Sequence, residues 1–168
     1  EIYTTLFRST TSSYTNYRIH FSFSVRNGNC MVYPFDSITG DELSDNAITP
    51  NGFRLDMARS RYLTIDVMRS ELSIASDGTV SEDVRFNRPA KDGDEYSDEG
   101  IYVFTVKNLY TDADPTTKTI YVGTDPYLIA LSTTGMTVQE LNEQIQQGYT
   151  VADDGSLIAA PQQQTQSQ

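Results

Sequence analysis

Alternation of apolar and polar residues, in short segments separated by turn residues, is the feature that most limits how this sequence can fold. The clearest segment places Tyr17, Ile19, Phe21, Phe23 and Val25 on one face of an extended chain, with polar residues on the other face. This two-residue period is typical of a half-buried antiparallel strand. Because such segments recur with turn signals roughly every ten residues, the pattern favours an all-β sandwich over alternating strands and helices.

Further strands are predicted from the same pattern. Asn27-Gly28, Asn51-Gly52 and Asp77-Gly78 are turn signals that separate alternating segments. Strands are predicted at residues 31–35, 53–57, 61–68 with a continuation over 72–75, 84–86, 101–107 and 118–122. The polar segments 36–49 and 89–97 are predicted to be connections.

The character of the sequence changes after Gly123. Thr137 and Glu140 have the spacing of a capping box, and apolar residues follow at helical spacing, so one helix is predicted over residues 137–147. A helix this short is marginal in water, so we expect it to dock on the sandwich or on the hairpin that follows it. That small hairpin is predicted around a turn at Asp154-Gly155.

These patterns divide the chain into three parts. Residues 1–123 are predicted to form an antiparallel sandwich, and residues 124–160 a helix-plus-hairpin appendage. Residues 161–168 read PQQQTQSQ and are predicted to be a disordered tail or linker, because so polar a segment cannot bury a core.

Composition excludes several functions. The formal net charge is −11, which argues against nucleic acid and anionic lipid as partners, since both need a basic surface. No stretch approaches the roughly 18 apolar residues of a membrane span. The single cysteine, Cys30, and the single histidine, His20, cannot build an intramolecular disulfide or a zinc site of usual composition. Paired carboxylates for glycoside hydrolysis stay open, because their spacing is spatial.

The densest acidic cluster is the candidate metal site. Asp92, Asp94, Glu95, Asp98 and Glu99 lie close together in sequence, and carboxylate oxygens are the ligands that calcium prefers. The spacing does not match an EF-hand loop. The alternative, which we favour, is a solvated loop without a cofactor.

Tyrosines near the start of the chain are the candidate glycan-facing residues. Tyr3 and Tyr14 offer rings on which a sugar could stack, although no motif places them. This alternative predicts a carbohydrate-binding β-sandwich accessory to a secreted glycoside hydrolase.

The segment Asp98-Glu99-Gly100-Ile101-Tyr102 opens the strand predicted at 101–107. An acid, a small residue and a tyrosine at this spacing resemble the tyrosine corner of immunoglobulin-like sandwiches, which implies structural roles for Asp98, Gly100 and Tyr102. In such corners the tyrosine hydroxyl bonds backbone a few residues upstream. We expect the bonded backbone to lie near residues 88–93. Tyr96, on the acidic connection, is expected to tolerate replacement by Phe.

The resemblance narrows to one group of immunoglobulin-like domains. Antibody-type domains have a cysteine two residues after the corner tyrosine and a core tryptophan, whereas this chain has Phe104 and no tryptophan. It is therefore similar to bacterial immunoglobulin-like surface domains. The order of sandwich, helix, Asp-Gly hairpin and polar tail resembles the membrane-proximal end of surface proteins of Gram-positive type. That resemblance implies a non-catalytic extracellular or cell-surface module, acting as a spacer, adhesion unit or protein-binding unit beside neighbouring domains. An export signal upstream and an anchor downstream are expected to flank such a module.

Overall fold

The computed structural model describes residues 2–7, 18–23, 32–58, 60, 63–110 and 114–159, the first two ranges by their backbone only. The described residues form twelve strands and two helices. The strands are β1 (Ile2–Phe7), β2 (Arg18–Phe23), β3 (Pro34–Asp36), β4 (Ala47–Thr49), β5 (Phe53–Leu55), β6 (Leu63–Ile74), β7 (Val80–Pro89), β8 (Glu95–Tyr96), β9 (Gly100–Asn108), β10 (Thr116–Val122), β11 (Tyr149–Val151) and β12 (Leu157–Ala159). The helices are α1 (Pro126–Thr134) and α2 (Val138–Gln146).

The largest sheet has five strands in the order β4-β10-β9-β6-β7. Its neighbours are antiparallel except that β4 runs parallel to β10. The prediction of a purely antiparallel sheet, with a connection over residues 36–49, is therefore wrong at β4. The strand is only three residues long, too short for a period to show. It is aligned by the Thr119 backbone, whose N–H donates to Asp45 Oδ1 at 2.7 Å and whose carbonyl accepts from Asn46 N–H at 2.8 Å.

The strand predicted at 84–86 is much longer in the structure. It is β7, an edge strand that pairs with β6 in a hairpin turning at Asp77-Gly78. Most of β7 is exposed, and Glu82, Asp83 and Arg85 lie along it. Charges on an edge strand hinder pairing with other chains, and they also remove the apolar alternation by which strands are recognised in a sequence.

A second sheet, of three strands in the order β3-β5-β8, packs against one face of the five-stranded sheet. Phe53 and Tyr96 from the small sheet contact Tyr102 and Phe104 of β9, with ring centroids 5.3–6.1 Å apart. Tyr96 is only 4% exposed and its hydroxyl donates to Asp94 Oδ2. It is thus a core residue rather than a residue of a solvated loop, so tolerance of Phe is no longer expected there. The chain is mostly β, with layered sheets of a sandwich-like class.

The other face of the five-stranded sheet, called here the outer face, is partly covered by the two helices. A second apolar core lies between them and the sheet; its buried members are Val80, Ile101, Tyr121, Leu128, Leu131 and Leu141. The prediction of one helix is wrong, because α1 precedes α2. Asp125 caps α1 by accepting from Tyr127 N–H at 2.8 Å, and Pro126 starts it. Its short, largely apolar sequence lacks the one-sided stripe by which amphipathic helices are recognised.

Helix α2 has the predicted capping box between Thr137 and Glu140. It docks on the sheet through Leu141 and through Asn142, whose side chain accepts from Val80 N–H at 2.8 Å and donates to Val80 carbonyl at 2.7 Å. β11 and β12 form the predicted hairpin, whose Gly155 lies against α1: a Cβ there would sit 2.5 Å from Ile129 Cγ2. Residues 124–159 therefore pack on the sheet, while the division into domains stays a prediction.

Several sequence predictions concern residues that the structure describes by their backbone only or does not describe. β1 and β2 pair antiparallel, with Ile2 opposite Phe23, and β2 covers residues 18–23 of the strand predicted from Tyr17 to Val25. Cys30 and the tail 161–168 lie outside the described residues. Within the described ranges, neither helix is long and apolar enough to cross a membrane.

The corner before β9 is built on Tyr102. Its side chain is 1% exposed, and its hydroxyl donates to the Asp98 carbonyl, four residues upstream, at 2.8 Å. The prediction that the acceptor lies in residues 88–93 is therefore wrong. The acceptor is closer because the chain turns sharply at Gly100, where φ is +150° and a Cβ would collide with the Ser70 carbonyl oxygen. Burial raises the pKa of Tyr102 to about 12, so the hydroxyl is a donor at neutral pH.

Replacing Tyr102 with Phe is expected to lower the free energy of unfolding by about 1–3 kcal/mol, because the ring stays and the Asp98 carbonyl loses its donor. Denaturant melts measure the loss. Tyr110→Phe is the matched control, since Tyr110 is 74% exposed and should change stability little. Equal stability of Tyr102→Phe and the wild type would show that the corner bond contributes nothing.

Candidate functional site

The predicted calcium ligands do not meet at one point. Asp92 Oδ1 accepts from Met57 N–H at 2.9 Å, and the Asp98 carbonyl accepts from Tyr102. Glu95 is exposed on β8. Across the described residues, no group of three or more His, Cys, Asp or Glu side chains is placed to hold a metal ion. The acidic segment instead uses its oxygens to fix its own backbone.

Asp94 is the centre of that segment. Its Oδ2 accepts from Arg88 Nη1 at 2.9 Å, Lys91 N–H at 3.0 Å and the Tyr96 hydroxyl at 2.9 Å. Burial disfavours the ionised form of Asp94, but these three donors outweigh it and hold the pKa below its usual range. Burial, and then the Asp94 carboxylate, raise the pKa of Tyr96. The guanidinium of Arg88 also lies 5.7 Å from the Tyr96 ring centroid.

A buried carboxylate that the sequence analysis missed is Asp36, which is 5% exposed. It accepts from the Thr49 hydroxyl, from the N–H groups of Ile38 and Thr39 at 2.9 and 2.8 Å, and from Asn51 Nδ2 at 3.2 Å. These donors, the Thr49 hydroxyl first, hold the pKa of Asp36 well below its usual range. Asp36 therefore joins β3, β4 and the turn before β5.

The candidate glycan-facing residues are Tyr3 and Tyr14. Tyr3 lies on β1, which is described by its backbone alone, and Tyr14 lies outside the described residues. The carbohydrate alternative stays a prediction.

A pocket of about 210 Å³ lies between the outer face and the connection of α1 to α2. We call it the sheet–helix pocket. Its apolar lining is Ile101, Val103, Leu131, Met136 and Val138, and its polar lining is Asn46, Glu82, Thr119, Tyr121 and Thr137. The lining is thus about half polar, and concave places with convergent polar groups are where ligands usually bind.

Tyr121 is the most informative residue of the pocket. The residue as a whole is 5% exposed, but its hydroxyl is not among the buried polar atoms that lack a partner in the described part of the chain. Burial raises the pKa of Tyr121, and the nearby carboxylates of Asp45 and Glu82 raise it further. The ring is therefore packed, while the hydroxyl lies at the pocket, where water or a ligand can reach it.

Two neighbours of Tyr121 are held in place by the fold. Glu82 accepts from the hydroxyl of Ser70, which is fully buried. Asn46 has a positive φ of 61°, and its backbone is fixed at both groups, since its N–H donates to Thr119 carbonyl and its carbonyl accepts from Ser132 Oγ at 2.6 Å. Asparagine tolerates this left-handed conformation better than most residues. The polar rim is therefore preorganised.

The pocket continues into an uncovered part of the outer face, called here the open strip. It is a depression of about 250 Å³ lined by Asp66, Met68, Asn87, Val103, Thr105 and Lys107. Val103 lines both the pocket and the strip. The two form one continuous surface along β9, beside the edge of the helices.

Comparison of the chain with known protein families finds no family that matches. Comparisons with curated proteins and with solved structures find no match either. The function proposed below therefore rests on the geometry of the pocket and the strip.

Acid is expected to unfold the protein partly through Asp36. Because its folded pKa lies below the unfolded value of about 3.9, the stability it contributes is present above that value and is lost as pH falls. Asp36→Asn should lower the free energy of unfolding at pH 7 by roughly 1.5–3 kcal/mol, since bonds to a charged acceptor are lost. It should also flatten the fall in stability between pH 5 and pH 2, which denaturant melts across that range measure. Asp56→Asn, at a half-buried carboxylate, is the control; an unchanged acid dependence in Asp36→Asn would contradict the role.

Calcium is expected to leave the melting temperature unchanged, because Asp92 and Asp94 already accept protein donors. A ligand that binds the folded state alone would raise it by mass action. Thermal melts with millimolar calcium, with magnesium as the control, measure this. A rise of several degrees that a chelator reverses would overturn the assignment of these carboxylates to loop structure.

Proposed function

We propose that this chain is a non-catalytic recognition module of an extracellular or cell-surface protein, with an immunoglobulin-like sandwich as its scaffold. The module binds a protein partner through the sheet–helix pocket and the open strip. The observation that carries the proposal is the pocket itself, in which the hydroxyl of Tyr121 and the carboxylate of Glu82 lie beside apolar side chains on the uncovered part of the sheet.

The energetics of Tyr121 support binding at this place. An occupant that enters the pocket displaces water from the Tyr121 hydroxyl. Leaving that hydroxyl without a hydrogen bond in the complex would cost about 1–3 kcal/mol, so the pocket favours an occupant with a polar group at that depth. Apolar residues around it supply area to bury, which is how recognition sites gain affinity.

Rigidity supports the same role. The pocket and the strip lie on β9, the strand that also supplies Tyr102 and Phe104 to the core between the sheets. A surface on regular, packed elements loses little entropy on binding, which raises affinity. Asp36 and Asp94, the carboxylates with lowered pKa, accept hydrogen bonds that fix the loops of the scaffold. Their charges therefore stabilise the fold.

The extracellular, immunoglobulin-like assignment rests on two observations. The first is the resemblance of the segment from Asp98 to Tyr102 to a tyrosine corner, now with a hydroxyl-to-carbonyl bond of 2.8 Å. The second is that Phe104, where antibody-type domains have a cysteine, is fully buried in apolar packing. Both are typical of sandwiches held by their core instead of a disulfide.

Blocking the strip tests the proposal. Thr105→Arg places a long cationic side chain in the strip and is expected to weaken partner binding at least about tenfold, a loss of about 1.4 kcal/mol. Binding is measured by surface plasmon resonance against a panel of purified extracellular proteins and by a glycan array. Gln146→Arg, at an exposed position on α2, is the charge-matched control and should bind as the wild type does.

Two results would contradict the proposal. One is a protein partner that binds Thr105→Arg as tightly as it binds the wild type. The other is glycan binding that Tyr3→Ala or Tyr14→Ala abolishes and Thr105→Arg leaves intact, which would favour the carbohydrate-binding alternative.

A further inference from the structure

The polar side of the sheet–helix pocket is acidic. Glu82 lines it, and Asp45 lies close enough to act on the Tyr121 hydroxyl. The lining contains no lysine or arginine. Two arginines of the flanking strands are engaged away from the pocket: Arg85 Nε is 2.7 Å from Glu71 Oε2, and Arg69 Nη2 donates to the Glu99 carbonyl at 2.6 Å, although the buried Arg69 Nε has no partner among the described residues. The negative charge in the pocket is therefore not neutralised by its own lining.

We propose that the sheet–helix pocket takes one lysine or arginine side chain of the protein partner. This inference rests on the proposed function and names the chemistry of the partner at that site. The aliphatic stem lies against Val103 and Met136, and the cationic head reaches Glu82 and Tyr121.

Volume favours a single side chain over a small-molecule ligand. Sites for drug-sized ligands usually enclose about 300–1,000 Å³. The pocket has about 210 Å³ and opens onto the strip through Val103, over which the rest of a partner could lie. Long basic side chains suit such a place, because they bury an apolar stem while the charged head contacts polar groups.

Hydrogen-bond accounting agrees with a cation. One oxygen of Glu82 accepts from Ser70, and the other oxygen is left for a ligand. The Tyr121 hydroxyl oxygen can also accept a bond. A lysine ammonium has three donors and no acceptor, and an arginine guanidinium has five donors, so either matches a site that offers acceptors. Bonds from a cation to a carboxylate are about twice as strong as neutral ones.

The net charge of the chain also favours a basic partner. The chain carries a formal net charge of −11, so a basic partner is attracted before contact and an acidic one is repelled. Because exposed charges are screened by salt, the association rate of such a partner should fall as ionic strength rises.

The test uses blocked amino acids as probes for the full chain. N-acetyl lysine methylamide and N-acetyl arginine methylamide are titrated while backbone NMR shifts of the described residues are followed. Shifts are expected at Ile101, Val103 and Tyr121, saturating in the millimolar range. The norleucine analogue has a similar stem without the charge and is expected to bind at least about tenfold more weakly, a difference of 1.4 kcal/mol.

Two variants with matched controls assign the contacts. Glu82→Gln and Tyr121→Phe should each weaken binding of the lysine probe several-fold, while Glu143→Gln and Tyr149→Phe should not. Tyr121→Phe removes a hydroxyl that has no protein partner, so its melting temperature should equal or exceed that of the wild type. A marked fall would show that the hydroxyl serves folding, and would overturn the inference.

Equal binding of the lysine and norleucine probes would also overturn the inference, as would no response to either basic probe. Neither result touches the proposed function, which fails only if partner binding is insensitive to Thr105→Arg or follows the glycan residues. A partner that depends on Thr105 without any response to lysine or arginine would thus sink this inference alone.

Discussion

Contact between four aromatic rings holds the two sheets together, and the rest of the structure depends on it. Phe53 and Tyr96 from the small sheet meet Tyr102 and Phe104 of β9, mostly edge to face, and such pairs add about 0.5–1.5 kcal/mol each beyond the area they bury. Two of the four are tyrosines, whose buried hydroxyls need acceptors. They find them in Asp94 Oδ2 and in the Asp98 carbonyl. The core therefore positions the acidic connection on which both aspartates lie.

The same contact decides which residues are free for recognition. Since side chains alternate along a strand, placing Tyr102 and Phe104 inward turns Ile101, Val103 and Thr105 to the outer face. The two helices cover Ile101 and leave Thr105 uncovered. The pocket forms where the cover ends, at the connection between α1 and α2. Its position follows from the packing of the sandwich and from the docking of α2 on Val80.

Features of this fold that carry a local signal were predictable from the sequence, and those that depend on tertiary contacts were not. The strand at 101–107, the turn at Asp77-Gly78 and the capping box of α2 each carry a local signal, so they could be predicted. β4 depends on hydrogen bonds to β10, and α1 lacks an amphipathic stripe, so neither shows in its own residues. The pocket could not be predicted for a related reason. Its lining residues lie far apart in the sequence, between Asn46 and Val138, and only the tertiary fold brings them together.

The ring and the hydroxyl of Tyr121 have different roles. The packed ring stabilises the fold, whereas the hydroxyl remains available at the pocket. A phenylalanine would fill the same space between β10 and the helices, and the hydroxyl adds only a polar atom at the pocket. Glu82 is similar: Ser70 donates to one carboxylate oxygen, and the residue is otherwise exposed to solvent. Water can bond both groups in the free chain, so an occupant has to replace those bonds when it displaces the water. Under the proposed function a donor-rich cation does so for both oxygens, whereas an apolar group would leave both unsatisfied. The two oxygens therefore restrict the proposed occupant more narrowly than the apolar walls do.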